Sequence, residues 1–129
     1  VTFELWTLVA ATLLGLVHLS AASFSFKAQV GNAYTVGPRD EGLQPTGVAG
    51  RLQRAQQNFL ETFALFSALV LVAHVSGRTG AASQWGASLY VVGRVLYLPL
   101  YALGVPWLRT LSWNLATLGL VMVAAQLFV

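Results

Sequence analysis

Four apolar stretches dominate the chain, separated by one polar tract and two short turns. The first covers residues 3–26, with Glu4 at its edge and His18 inside it as the only ionisable groups. At ~1.5 Å per residue such a helix reaches about 36 Å, enough to cross a hydrocarbon layer of ~30 Å. No basic residue precedes it, so it reads as a retained span and not as a signal peptide. Residues 27–47 change character, with four glycines, Pro38, Pro45, Arg39, Asp40 and Glu41, and read as a loop. From Val48 a helix begins on a polar foot (Arg51, Gln53, Arg54, Gln56, Gln57, Asn58). It continues to Ser76 as an apolar shaft broken by Glu61 and His74. Gly77–Gly80 makes a turn, residues 84–103 form a third span around Arg94, and Gly104-Val105-Pro106 allows a tight reversal. The fourth span, 107–129, carries Arg109 near its start. The pattern predicts an all-α integral membrane protein, a four-transmembrane-helix bundle forming one domain over residues 1–129, with no internal repeat.

Composition sharpens this. Of the 129 residues, 57% are hydrophobic and only 9% are charged, against about 25% charged in a soluble domain. A water-facing surface cannot be built from so few charges. The absence of cysteine excludes disulfides, thiolate metal sites and a cysteine nucleophile. Any thiol used here must come from a ligand. The net charge of +3 follows no basic-plus-aromatic module, so no nucleic-acid partner is expected. It serves topology instead. Lys27, Arg39, Arg51, Arg54 and Arg109 gather at one end of the spans and Arg78 stands alone at the other. The first end is expected to face the cytoplasm, with both termini on the opposite side.

Charges inside membrane helices are costly, so their positions carry information. Arg51, Arg54, Asn58 and Glu61 are spaced 3, 4 and 3 residues apart and fall within roughly 80° of arc on the second long helix. Tyr90, Arg94, Tyr97 and Tyr101 form a similar stripe on the next. Antiparallel neighbours would bring the stripes together, with Glu61 and Arg94 compensating each other's charge; an ion pair that merely fixes helix register reads equally well. Arg51, Arg54, Arg109 and Lys27 are expected to converge at the cytoplasmic rim. Clustered guanidinium groups suit a ligand with more than one carboxylate, and a carboxylate among them suits an amine. A small zwitterion with two carboxylates fits, and a collar touching lipid headgroups is the plainer alternative. His18 and His74 lie at depths too different for one porphyrin, so haem is rejected and both are expected to be packed or interfacial. Trp6, Trp85, Trp107 and Trp113 sit near span ends, as an aromatic belt would. Ala11, Gly15, His18 and Ala22 give the first span a close-packing face. No metal motif stands out.

The segment Arg51-Leu52-Gln53-Arg54-Ala55-Gln56-Gln57-Asn58-Phe59-Leu60-Glu61 resembles the MAPEG family, the membrane-associated proteins of eicosanoid and glutathione metabolism. The matching core is Arg54, Asn58 and Glu61, preceded by Arg51; a second match is Gly93-Arg94-Val95-Leu96-Tyr97, then Tyr101, a short turn and Arg109. The resemblance implies a homotrimer with glutathione, as co-substrate, bound between subunits near the cytoplasmic leaflet. It further implies a transferase or peroxidase in which the thiolate attacks a lipophilic electrophile or hydroperoxide, without metal or haem. Carried over by position, Arg54, Asn58 and Glu61 bind the tripeptide and Arg51 assists from the rim. Tyr97 and Tyr101 line the pocket, Arg109 stabilises the thiolate as the catalytic residue, Thr110 and Trp113 flank it, and Arg94 supports the site. Gln57 stands where some members carry another arginine, Tyr97 where some carry histidine, and Trp113 where tyrosine is common. Two other functions are weighed: a non-catalytic lipid-binding scaffold of the same fold, and a small drug/proton antiporter cycling a proton on Glu61. The arginines near Glu61 argue against the second.

Overall fold

The computed structural model describes residues 1–129 and is built from helices alone. In chain order these are α1 (Phe3–Val30), α2 (Asn32–Val36), α3 (Gly47–Ser76), α4 (Ala81–Ala102) and α5 (Pro106–Gln126). Thr2 caps α1, its hydroxyl accepting from the Leu5 N–H at 3.4 Å. The helix does not stop at Phe26. Lys27, Ala28 and Gln29 are good helix formers, and α1 ends only at Gly31, whose φ of 92° breaks the ladder. The expected loop over 27–47 is therefore partly helical: it holds the last turn of α1 and the whole of α2. The rest is stapled down. The Gln29 amide oxygen accepts from the Thr46 N–H at 3.0 Å, and the Tyr34 hydroxyl accepts from the Leu43 N–H at 2.8 Å.

The long α3 runs unbroken from polar foot to apolar shaft and ends at Gly77, which takes the left-handed conformation that favours glycine. α4 begins three residues before the expected span, at Ala81, and α5 stops at Gln126 rather than 129. Between them Gly104 supplies the positive φ of the reversal and Pro106 starts α5 with its φ already set.

All four long helices feed one core, in which Ala11, Phe66, Val70, Tyr90, Leu120 and Val123 are buried together. The α4–α5 contact is the most extensive, because small residues let the two backbones meet. A Cβ on Gly119 would run into the Gly86 carbonyl oxygen, and one on Gly93 would stand 2.8 Å from the Ser112 carbonyl oxygen. At the end opposite the polar foot, buried Glu4 accepts from the Ser83 hydroxyl at 2.7 Å. The Gln126 side chain accepts from the Ala82 N–H at 3.2 Å, so α1 and α5 are both tied to the start of α4. The outer faces are apolar, with Trp6, Leu13, Phe24, Leu65, Leu111 and Val121 exposed. Helices α1, α3 and α5 are long and apolar enough to cross a membrane. α4 is long enough too, but Gln84, Ser83, Ser88 and Arg94 lower its apolar character.

Because backbone meets backbone at Gly119, a side chain there has nothing flexible to displace. Gly119→Val is expected to lower stability by about 1–3 kcal/mol through overpacking, read as a lower midpoint in detergent-phase thermal unfolding.

Candidate functional site

Helices α3 and α4 meet along a series of polar contacts that descends from the polar foot into the bundle. At the top, the Arg51 Nε donates to the Ala102 carbonyl at 2.9 Å. This places a cation on an orphan carbonyl at the negative end of α4. Next, the Arg54 Nε donates to the Tyr101 hydroxyl at 3.2 Å. Deeper, the Arg94 Nη1 donates to the Asn58 Oδ1 at 2.8 Å. At the bottom, the Thr62 and Tyr90 hydroxyls are bonded at 3.0 Å. Thr62 also donates to the Phe59 carbonyl, so Tyr90 is the donor of that pair.

The two stripes thus face each other as the spacing predicts, with one correction. Glu61 does not compensate Arg94. It lies on the exposed side of α3, and the arginine is bonded to the neutral Asn58 amide instead. One residue along a helix is a rotation of about 100°, so the step inward falls to Thr62 and Glu61 turns out. Thr62 was missed as the partner of Tyr90. Its place four residues after Asn58, on the same helical face, was the available signal.

Around these contacts the aromatic rings are stacked with guanidinium groups. The Arg94 Cζ lies 4.1 Å from the centre of the Tyr97 ring. Tyr97 packs edge-on against Tyr101, with centroids 5.4 Å apart. The Arg109 Cζ lies 4.6 Å above Tyr101 and that of Arg54 is 6.0 Å from the same ring. Cations within about 6 Å of an aromatic face are attracted by its quadrupole. The outcome is a wall of two tyrosines held between three arginines.

Asn58, Tyr97, Tyr101, Arg109, Thr110 and Trp113 line an open pocket of about 320 Å³ against this wall. These six expected residues are brought together as lining. Arg94 lies behind the wall, fully buried, and Arg54 and Arg51 stand above it toward the rim. Glu61 is not part of the lining, and neither is Lys27. Lys27 belongs with Arg39 to a second pocket of about 310 Å³ under the 31–46 tract, with Ser23, Thr35, Gln53 and Gln56. The expected convergence of Lys27 with the three rim arginines is therefore corrected: Lys27 faces the α1 side of α3, and the others face the α4 side.

The pocket's chemistry is that of an anion seat. No carboxylate lines it, and Arg109 supplies a guanidinium. The Tyr101 oxygen already accepts from Arg54, which leaves its own hydrogen free to donate. The Thr110 hydroxyl bonds back to the Pro106 carbonyl and so offers lone pairs rather than a hydrogen. Of the two histidines, His18 is buried and stacked on Phe59 at 4.7 Å, while His74 is exposed near the end of α3. Neither lines this pocket. No curated protein matches the chain. The model of one protein family does match it, over residues 3–129. With that match covering nearly every residue of a bundle whose helices are apolar outside, this membrane protein belongs to the MAPEG family.

Proposed function

We propose that the chain is a glutathione transferase or peroxidase of the membrane, with four crossings and its site at the cytoplasmic rim. The observation that carries this reading is Arg109 seated 4.6 Å over the Tyr101 ring beside Asn58 and Tyr97. A free thiol with a pKa of ~8.5 is only a few per cent ionised at neutral pH. A guanidinium and a phenol hydrogen aimed at the sulfur stabilise the thiolate and raise that fraction. The proton leaves to water at the open side of the pocket. With an aryl chloride, the thiolate forms the C–S bond as the C–Cl bond breaks and chloride departs. The apolar helices beside the pocket hold such an electrophile at high local concentration.

The pocket is open outward, and Arg54 and Glu61 lie exposed along the same helix. In a homotrimer a neighbouring subunit would close the seat. Glu61 would then take the amine of the tripeptide, and Arg54 and Arg51 would take its carboxylates. The lipophilic second substrate would enter from the membrane. α4 crosses with the others in this arrangement, its one charge already enclosed by Asn58 and the Tyr97 ring.

Three substitutions test the reading with purified protein in detergent or nanodiscs. Arg109→Ala is expected to cut turnover of glutathione with an aryl halide by roughly 10²-fold or more, as loss of an oxyanion donor does. Calorimetry should find its glutathione affinity within a few-fold of the parent; unchanged turnover would remove Arg109 from the chemistry. Tyr101→Phe keeps the ring under Arg109 and loses the hydroxyl together with its bond from Arg54, whose guanidinium stays free for the ligand. Its kcat should fall by about tenfold, the worth of one hydrogen bond to a charged group, with little change in KM. Glu61→Gln should raise the glutathione Kd by about tenfold, the loss of a charge-assisted contact, and leave kcat at saturation nearly unchanged. A parent protein that neither binds glutathione nor turns it over would leave the non-catalytic lipid-binding reading standing.

A further inference from the structure

Behind the tyrosine wall lies a buried polar pair that the proposed chemistry does not use. His18, on α1, is 1% exposed, and neither its Nδ1 nor its Nε2 has a hydrogen-bond partner in the chain. Arg94, on α4, is 0% exposed; its Nη1 is bonded to Asn58, while its Nε and Nη2 have no partner. Both rest against one ring. His18 stacks on Phe59 with centroids 4.7 Å apart, and the Arg94 Cζ is 5.4 Å from the centre of the same ring.

Polar atoms this deeply buried are rarely left unpaired. A guanidinium has only donors to offer, and a neutral imidazole has one N–H and one bare nitrogen. Water satisfies both, since it accepts from Arg94 and donates to the bare nitrogen of His18. Buried waters sit where two to four polar partners converge, and here the four unpaired nitrogens belong to two buried side chains that both rest against Phe59.

We propose that buried water bridges His18 to Arg94, making His18 a positioning residue for the pocket. The bridge fixes the Arg94 guanidinium from the α1 side. Arg94 in turn fixes the Asn58 amide it is bonded to and the Tyr97 ring it covers, and both of these line the pocket. The consequence for binding rests on the glutathione reading above. The bridge itself does not.

The test compares His18→Leu, which fills the space without polar atoms, with His18→Gln, which keeps a donor and an acceptor at similar reach. In His18→Leu the KM for glutathione is expected to rise by about tenfold, the scale of losing one hydrogen bond to a charged group, with kcat changed less. His18→Gln should restore KM to within a few-fold. A merely structural role would not be rescued by the polar variant alone. Parental KM in His18→Leu, or equal values in the two variants, would overturn the proposal. Should the parent not bind glutathione, the glutathione reading fails separately, and the bridge is judged by two other measurements. Unfolding midpoints in detergent for His18→Leu, Arg94→Met and the double variant should be non-additive, as for groups sharing one network. Additive shifts would overturn the bridge. If Arg94→Met does not fold, high-resolution density of the parent decides: ordered water between His18 and Arg94 supports the bridge, and apolar packing without water there overturns it.

Discussion

Arg94 sits in the middle of the bundle with a neutral amide and two aromatic rings for company, and the site is arranged around that arrangement. A charge at the centre of a membrane helix costs about 2.5–3.5 kcal/mol on insertion scales. The bond to Asn58 is worth about 1.5–3 kcal/mol as a hydrogen bond to a charged group. A desolvated cation on a ring adds about 2 kcal/mol. The contacts are of the size needed to offset the cost. They do so without a carboxylate, so the positive potential of Arg94 is not cancelled next door and extends toward the Tyr97 side of the pocket.

That choice of partner has a consequence for Glu61. Had Glu61 paired with Arg94, both charges would be spent inside one subunit. Because Asn58 takes the arginine, the carboxylate is left on the outer face of α3, about two turns from exposed Arg54 along the same helix. Two opposite charges standing on the outside of a membrane bundle call for partners there. On the proposed reading, a zwitterionic ligand pressed between this face and a neighbouring subunit would meet both.

Much of this was legible beforehand. The apolar runs located the four long helices to within a few residues, and the 3-4 spacing of Arg51, Arg54 and Asn58 opposite Tyr97 and Arg94 predicted which faces meet. Gathering Tyr101, Arg109, Thr110 and Trp113 with them needed only a short turn and two antiparallel helices. Three things were not legible. The stripe's arc was wide enough to admit Glu61 at its edge, and nothing in the spacing says that an amide wins over a carboxylate one turn away. The helix α2 holds five residues between Gly31 and Gly37, too few to show any period. The packing face that holds His18 was expected, but its partner was not: the stack on Phe59 joins α1 to α3 across more than 40 positions of sequence, a relation that no local pattern contains.

The position of the pocket makes sense of a chain without cysteine. If, as proposed, the nucleophile is carried by a soluble tripeptide from water and the apolar electrophile comes from lipid, the place to join them is a boundary. The polar foot of α3 marks that boundary, with Gln53, Arg54 and Gln57 exposed on it and Leu60 and Leu65 exposed below. The tyrosine wall lies where the two regimes meet, its rings offering an apolar flank and Tyr101 its hydroxyl to the polar side. A pocket higher on the foot would lose the electrophile to dilution, and one deeper in the shaft would have to strip the tripeptide of water. On the proposed reading, the arginines above the wall and the apolar helices beside it each supply one reactant, and Arg109 stands between them.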